Sequence, residues 1–180
     1  MQCIQHPHRH CRIHCALIAL LALATLPTAA TAACTTKDGG VSPMQAYAGN
    51  YLNDKNLLAA PAVAARLKSL PVPVRQHFER NLDVAGQIDL VGCHLVVAGN
   101  AQHKGGEENA IVDVNLYSGA VTFAIHSRGR TDIWLDQDPT ALTSPPYAAV
   151  PGAVKQWAVL ADLGFPYQKP ASVQVHPPQR

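Results

Sequence analysis

The spacing of apolar positions changes character near residue 83. Upstream, Leu57, Leu58, Val63, Leu67 and Leu70 recur at helical intervals, and Pro61 suits a first turn, where its missing N–H costs nothing. The pattern predicts a helix over 61–69, led into by a turn from Asn53 and ended by Pro71 and Pro73. Val74, Phe78 and Leu82 then share one face of a second short helix, before Asp83–Gly86 turns away. Downstream the period is two. Ile88, Leu90 and Gly92 alternate with Asp89 and Val91, and Cys93, Leu95 and Val97 alternate with His94 and Val96, so one face is buried and the other partly so. Ile88–Ala98, Ala110–Tyr117, Ala120–His126 and Thr131–Leu135 are the expected strands, joined at Ser118-Gly119 and Arg128-Gly129-Arg130 by connections short enough to make them antiparallel.

Beyond the strands, Asp136–Leu142 has a helix start, with Asp138 as cap and Pro139 as first helical residue. Gly152–Leu163 carries Val154, Trp157, Ala158 and Ala161 on one stripe and is closed by Gly164. The expected fold is α+β: an antiparallel sheet of about five strands with helices packed mainly on one face. One connection is unlike the others. Between Ala98 and Ala110 lies the polar stretch 99–109, which includes Asn100, Gln102, His103, Lys104 and Gly105, and an ordered loop of that length is more often a binding feature than a connector.

Composition changes the picture at the N-terminus. Arg9 and Arg12, the apolar run Ala16–Leu26 and the small-x-small pattern Ala30-Thr31-Ala32 read residues 1–32 as an export signal, which places the protein in the periplasm or outside the cell. Cys3, His6, His8, His10, Cys11, His14 and Cys15 resemble metal ligands but fall in that segment. Of the 14 Lys and Arg, two lie in residues 1–32, and none of the 12 Asp and Glu does, so the remainder is balanced at 12 of each and its charge gives no argument for nucleic acid. The organisation expected is a signal peptide over 1–32, a flexible segment over 33–52, one domain over 53–167 and an extended tail over 168–180. After the signal, Cys34 and Cys93 are the two cysteines left, and an oxidising compartment favours a disulfide between them. The competing reading makes Cys34, which follows Thr31-Ala32-Ala33, a lipidated first residue and leaves Cys93 unpaired.

Catalytic equipment is missing from the motifs. There is no phosphate-binding glycine pattern, nucleophile elbow or Cys-x-x-Cys, and nothing calls for a cofactor. His94 and His103 with Glu107 or Glu108 lack the close spacing of a metal site. His126 and Asp132 could form an acid–base pair across the Arg128–Arg130 turn, although a surface contact between strands is the plainer expectation.

The order of Leu57-Leu58-x-x-Pro61, Leu70-Pro71, a strand into a histidine-centred loop, Asn109-Ala110-Ile111-Val112, Ser118-Gly119 and a last strand before Trp134-Leu135 resembles the inhibitor of vertebrate lysozyme family of bacterial periplasmic proteins. The resemblance covers residues 53–142 and is architectural. The family's loop pattern is Cys-Lys-Pro-His-Asp-Cys; Asn100-Ala101-Gln102-His103-Lys104-Gly105 stands in its place, keeping the histidine and neither cysteine. In the family that loop is closed by a disulfide, and its histidine enters the lysozyme cleft between the two catalytic carboxylates. The resemblance therefore implies a non-enzymatic inhibitor of a secreted or envelope glycoside hydrolase, with His103 as the plug and Asn100, Gln102, Lys104 and Gly105 around it. The alternative is an envelope protein-binding or immunity-type module that inhibits no lysozyme.

Overall fold

A computed structural model describes residues 33–40, 42–136, 146–163 and 172–176, all within one compact unit. Residues 1–32, the expected helix start at Asp138-Pro139, Gly164 and most of the C-terminal tail lie outside the described residues. The helical spacing holds upstream: a 3-10 turn over Leu57–Ala59 leads into helix α1, Pro61–Lys68, and α2 follows at Val72–Arg80. Prolines occupy the opening turns of both helices, which is why Pro71 and Pro73 separate two helices instead of ending structure altogether.

Among the described residues the sheet has seven strands. β1 (Val84–Ala85), β2 (Asp89–Val91), β3 (His94–Asn100), β4 (Glu108–Asn115), β5 (Val121–Ser127), β6 (Arg130–Trp134) and β7 (Ser172–His176) are ordered β1-β3-β4-β5-β6-β7, with β2 also pairing β3. The single strand expected over Ile88–Ala98 is two. Val91 pairs with His94, so Gly92-Cys93 is a tight turn, and Gly92 adopts the φ of 59° such a turn requires. Gly99 is needed for close approach instead, since a Cβ there would lie 2.8 Å from the Val84 carbonyl oxygen and hold β1 away from β3. β7 pairs in parallel with β6, so the sheet is mixed. The described part of the tail is extended, and it is bonded into the sheet.

Two cores flank the sheet. On one face Leu57, Val63, Leu67, Phe78 and Leu82 from the helical segment meet Leu95, Val97, Ala110, Val112, Val114, Phe123 and Ile125. Phe78 and Phe123 meet edge to face, with ring centres 4.9 Å apart. On the other face Val150 and Val154 cover Val96, Ile111, Ala124, Ile133 and Leu135; Val154 belongs to α3, which spans Gly152–Leu163 as the spacing predicts. Among the described residues, two helices thus lie on one face and one on the other. Arg66 fastens α1 to the end of β6, donating from Nη2 to the Leu135 carbonyl at 2.6 Å and lying 3.3 Å from Asp136.

The described residues of the segment 33–52, expected to be loose, are tied down. Cys34 is disulfide-bonded to Cys93 with Cα atoms 5.4 Å apart, Met44, Tyr47, Ala48 and Leu52 pack against the first core, and Tyr51 bridges to Gln87. A sulfur held in that disulfide cannot also carry a lipid thioether.

Candidate target-binding site

The polar loop is shorter than the sequence suggests, because the β3–β4 ladder runs further out. Asn100 pairs with Asn109, so Gly99 and Asn100 belong to β3 and Glu108 and Asn109 to β4, leaving residues 101–107 as the loop. Its backbone bonds to itself. The Ala101 N–H donates to the Glu108 carbonyl at 3.0 Å, the Lys104 N–H to Ala101 at 3.0 Å, and the Glu107 and Glu108 N–H groups to Lys104 at 3.1 and 3.0 Å. The Gly106 N–H donates to Asn109 Oδ1 at 3.3 Å. Ala101, 5 % exposed, anchors the loop, whereas Gln102, His103, Lys104, Gly105 and Glu107 are exposed. His103 sits at a corner of the turn closed by Ala101 and Lys104, with φ at 62°. A non-glycine residue in the left-handed region carries a conformational cost that surrounding structure must hold in place.

Asn100 and Gly105, the two positions that the resemblance sets against the family's cysteines, lie together. A Cβ on Gly105 would be 3.7 Å from Asn100 Cγ. The Asn100 amide donates to the Ala101 carbonyl at 2.9 Å and so is itself fixed. A polar side chain thus packs across the loop from residue 100 to residue 105.

The root of the loop is fastened to α2. Glu108 Oε2 accepts from His77 Nε2 at 2.6 Å and from Asn81 Nδ2 at 3.3 Å, and Oε1 accepts from Ser127 Oγ at 2.8 Å. Burial works against the charged form of Glu108, but the hydrogen bonds from His77, Ser127 and Asn81 and the charge of His77 outweigh it, and the carboxyl is held below the ordinary glutamate value. Residue-type motifs did not single out this network. The signal available was His77 and Asn81, four apart on one helical face, with Glu108 beside the loop.

The other histidines lie elsewhere. His94 is at the opposite end of β3 from Asn100, about 20 Å away at 3.3 Å per residue, so it cannot share a ligand with His103. It donates from Nδ1 to the buried Asp113 at 2.7 Å, and burial pushes Asp113 above the ordinary aspartate value against the hydrogen bond and charge of His94. Among the described residues no three His, Cys, Asp or Glu side chains are grouped to hold a metal. His126 pairs with Thr131, whereas Asp132 is opposite Ile125, so the two project from opposite faces of the sheet and form no acid–base pair. Nor is His126 a surface residue: it is fully buried, with Nδ1 3.0 Å from Thr131 Oγ1.

Fold and loop together define a small α+β domain whose central sheet holds out an ordered, exposed, polar hairpin tip. Residues 62–160, more than half of the chain and running from α1 to α3, match the family Inhibitor of vertebrate lysozyme (Ivy), and the chain belongs to that family. No curated protein and no solved structure matches the chain.

Proposed function

We propose that the protein is a periplasmic inhibitor of a lysozyme-type cell-wall hydrolase, exported through residues 1–32, which acts by inserting the 101–107 loop into the enzyme's cleft. The observation that carries this reading is the exposed His103, held at a self-bonded turn on the tip of the β3–β4 hairpin, in a chain of the lysozyme-inhibitor family. A lysozyme cleft places two carboxylates across the scissile bond. An imidazolium has a donor on each side of the ring, so one side chain can satisfy both. Gln102 and Lys104 flank it, and the Lys104 charge favours approach to an acidic cleft.

The family's disulfide limits what its loop loses on docking. Here the backbone bonds of 101–108 and the Asn100 contact with Gly105 serve the same end, so ordering on binding is less costly than for a free loop. The test is inhibition of a C-type lysozyme by residues 33–180 and by its His103→Ala variant. The wild type slows lysis, and the variant loses at least tenfold in potency with its melting temperature unchanged. Equal potency would refute the plug, and no inhibition by the wild type would favour a module with another envelope partner.

A further inference from the structure

The pairing register brings a second element beside the loop. Glu108 pairs with Ser127, and Ser127 with Arg130, so the β5–β6 turn Arg128-Gly129 leaves the sheet at the same end as residues 101–107. Both turn residues have positive φ, 53° and 73°. Two-residue hairpin turns of this kind favour Asn-Gly, so an arginine in the first position carries a local conformational cost.

Arg128 lines two hollows. One, of about 390 Å³, lies at the root of the loop and is lined by Arg80, Ala101, Gln102 and Lys104 among others. The second, of about 590 Å³, runs along α2 past His77 and Arg130 to Trp134 and His176. Two of the carboxylates near Arg128 are already engaged. Both oxygens of Glu108 accept within the loop's root network, and Asp132 accepts from His176 at 2.9 Å and from Arg130 at 2.8 Å. Arg128 itself has no hydrogen-bond or ion-pair partner among the described residues, and it is exposed. An exposed guanidinium on a two-residue turn, beside Arg80 and Lys104 with Asp83 and the loop's own Glu107 as the remaining opposing charges, puts three cationic side chains at this end of the sheet next to the histidine finger.

We propose that Arg128 is a second anchor, pairing with a carboxylate on the rim of the same enzyme cleft that receives His103. The inference rests on the inhibitor reading above. The planar fork of arginine matches a carboxylate in a bidentate way that lysine does not, so the site selects for an acidic rim residue and fixes the angle at which the loop enters.

Arg128→Gly is the suitable variant, since glycine is at ease at positive φ and leaves the turn intact; Arg128→Asn, the residue this turn prefers, repeats the test should glycine loosen the hairpin. Dissociation constants with a C-type lysozyme are measured at low and high salt for the wild type, these two variants, Arg128→Lys and His103→Ala. Both neutral variants are expected to bind about tenfold more weakly at low salt with unchanged melting temperature, the gap is expected to narrow at high salt, and Arg128→Lys is expected to recover only part of the loss. If the neutral variants bind as the wild type does while His103→Ala does not, the second anchor is wrong and the plug stands. If the wild type itself does not bind, both fall.

Discussion

Two carboxylates with opposite shifts give the fold a pH signature at the residue scale. The folded value of Glu108 lies below its unfolded one, so its stabilising contribution is complete above about pH 4.3 and is lost as pH falls through the folded value. Asp113 behaves in reverse. Its folded value lies above the unfolded one, so the cost of burying its charge is present above the folded value and is relieved as pH falls through it toward about 3.9. Denaturant unfolding across pH should therefore show the wild type gaining stability relative to Asp113→Asn as pH falls toward about 3.9, and losing it relative to Glu108→Gln once below about pH 4.3. At pH 7, Glu108→Gln should cost about 1–2 kcal/mol, because it removes a charged acceptor from a network shared by His77, Asn81 and Ser127. Profiles parallel to the wild type would mean that these groups are not linked to folding as described.

Elements were legible where period and punctuation agreed. The helix over Gly152–Leu163 and the β4–β5 and β5–β6 hairpins follow from sequence spacing, and the disulfide follows from there being two cysteines left to pair. The β2–β3 turn was hidden because Gly92-Cys93 falls inside what reads as one alternating run; its trace was the slip of the alternation from even to odd residues. The covering of both faces was visible in neighbouring apolar pairs such as Val96-Val97 and Ile111-Val112, which put one residue on each face, although alternation drew attention to one of them. β7 escaped because its partner β6 lies far away in sequence and prolines surround Ser172–His176. The polar stretch does join β3 to β4, but polarity overstates its extent, since Asn100, Glu108 and Asn109 sit on strand ends where the ladder decides. Two predictions belong at this scale. Replacing Cys34 and Cys93 by alanine should cost about 4 kcal/mol for a bridge between residues 59 apart in sequence, read as a lower denaturation midpoint. Asn100→Cys with Gly105→Cys should close a disulfide across the loop, because the positions touch and Gly105, unlike Gly106, is not at positive φ; free thiols after oxidation would contradict the geometry.

For the whole molecule, the sheet serves as a frame. Its two covered faces hold β3, β4 and β5 rigid, the root network ties the hairpin to α2, and one end presents the 101–107 loop beside the Arg128 turn. On the proposed reading, binding strength comes from presenting a few polar groups already in place, and because the loop would occupy the cleft, inhibition and cleft occupancy exclude one another. The most direct measurement is the inhibition constant of residues 33–180 against a C-type lysozyme at rising concentrations of a short chitooligosaccharide that fills the cleft. The apparent constant is expected to rise in proportion to the oligosaccharide. A constant that stays level while the cleft fills would show that the loop does not enter it.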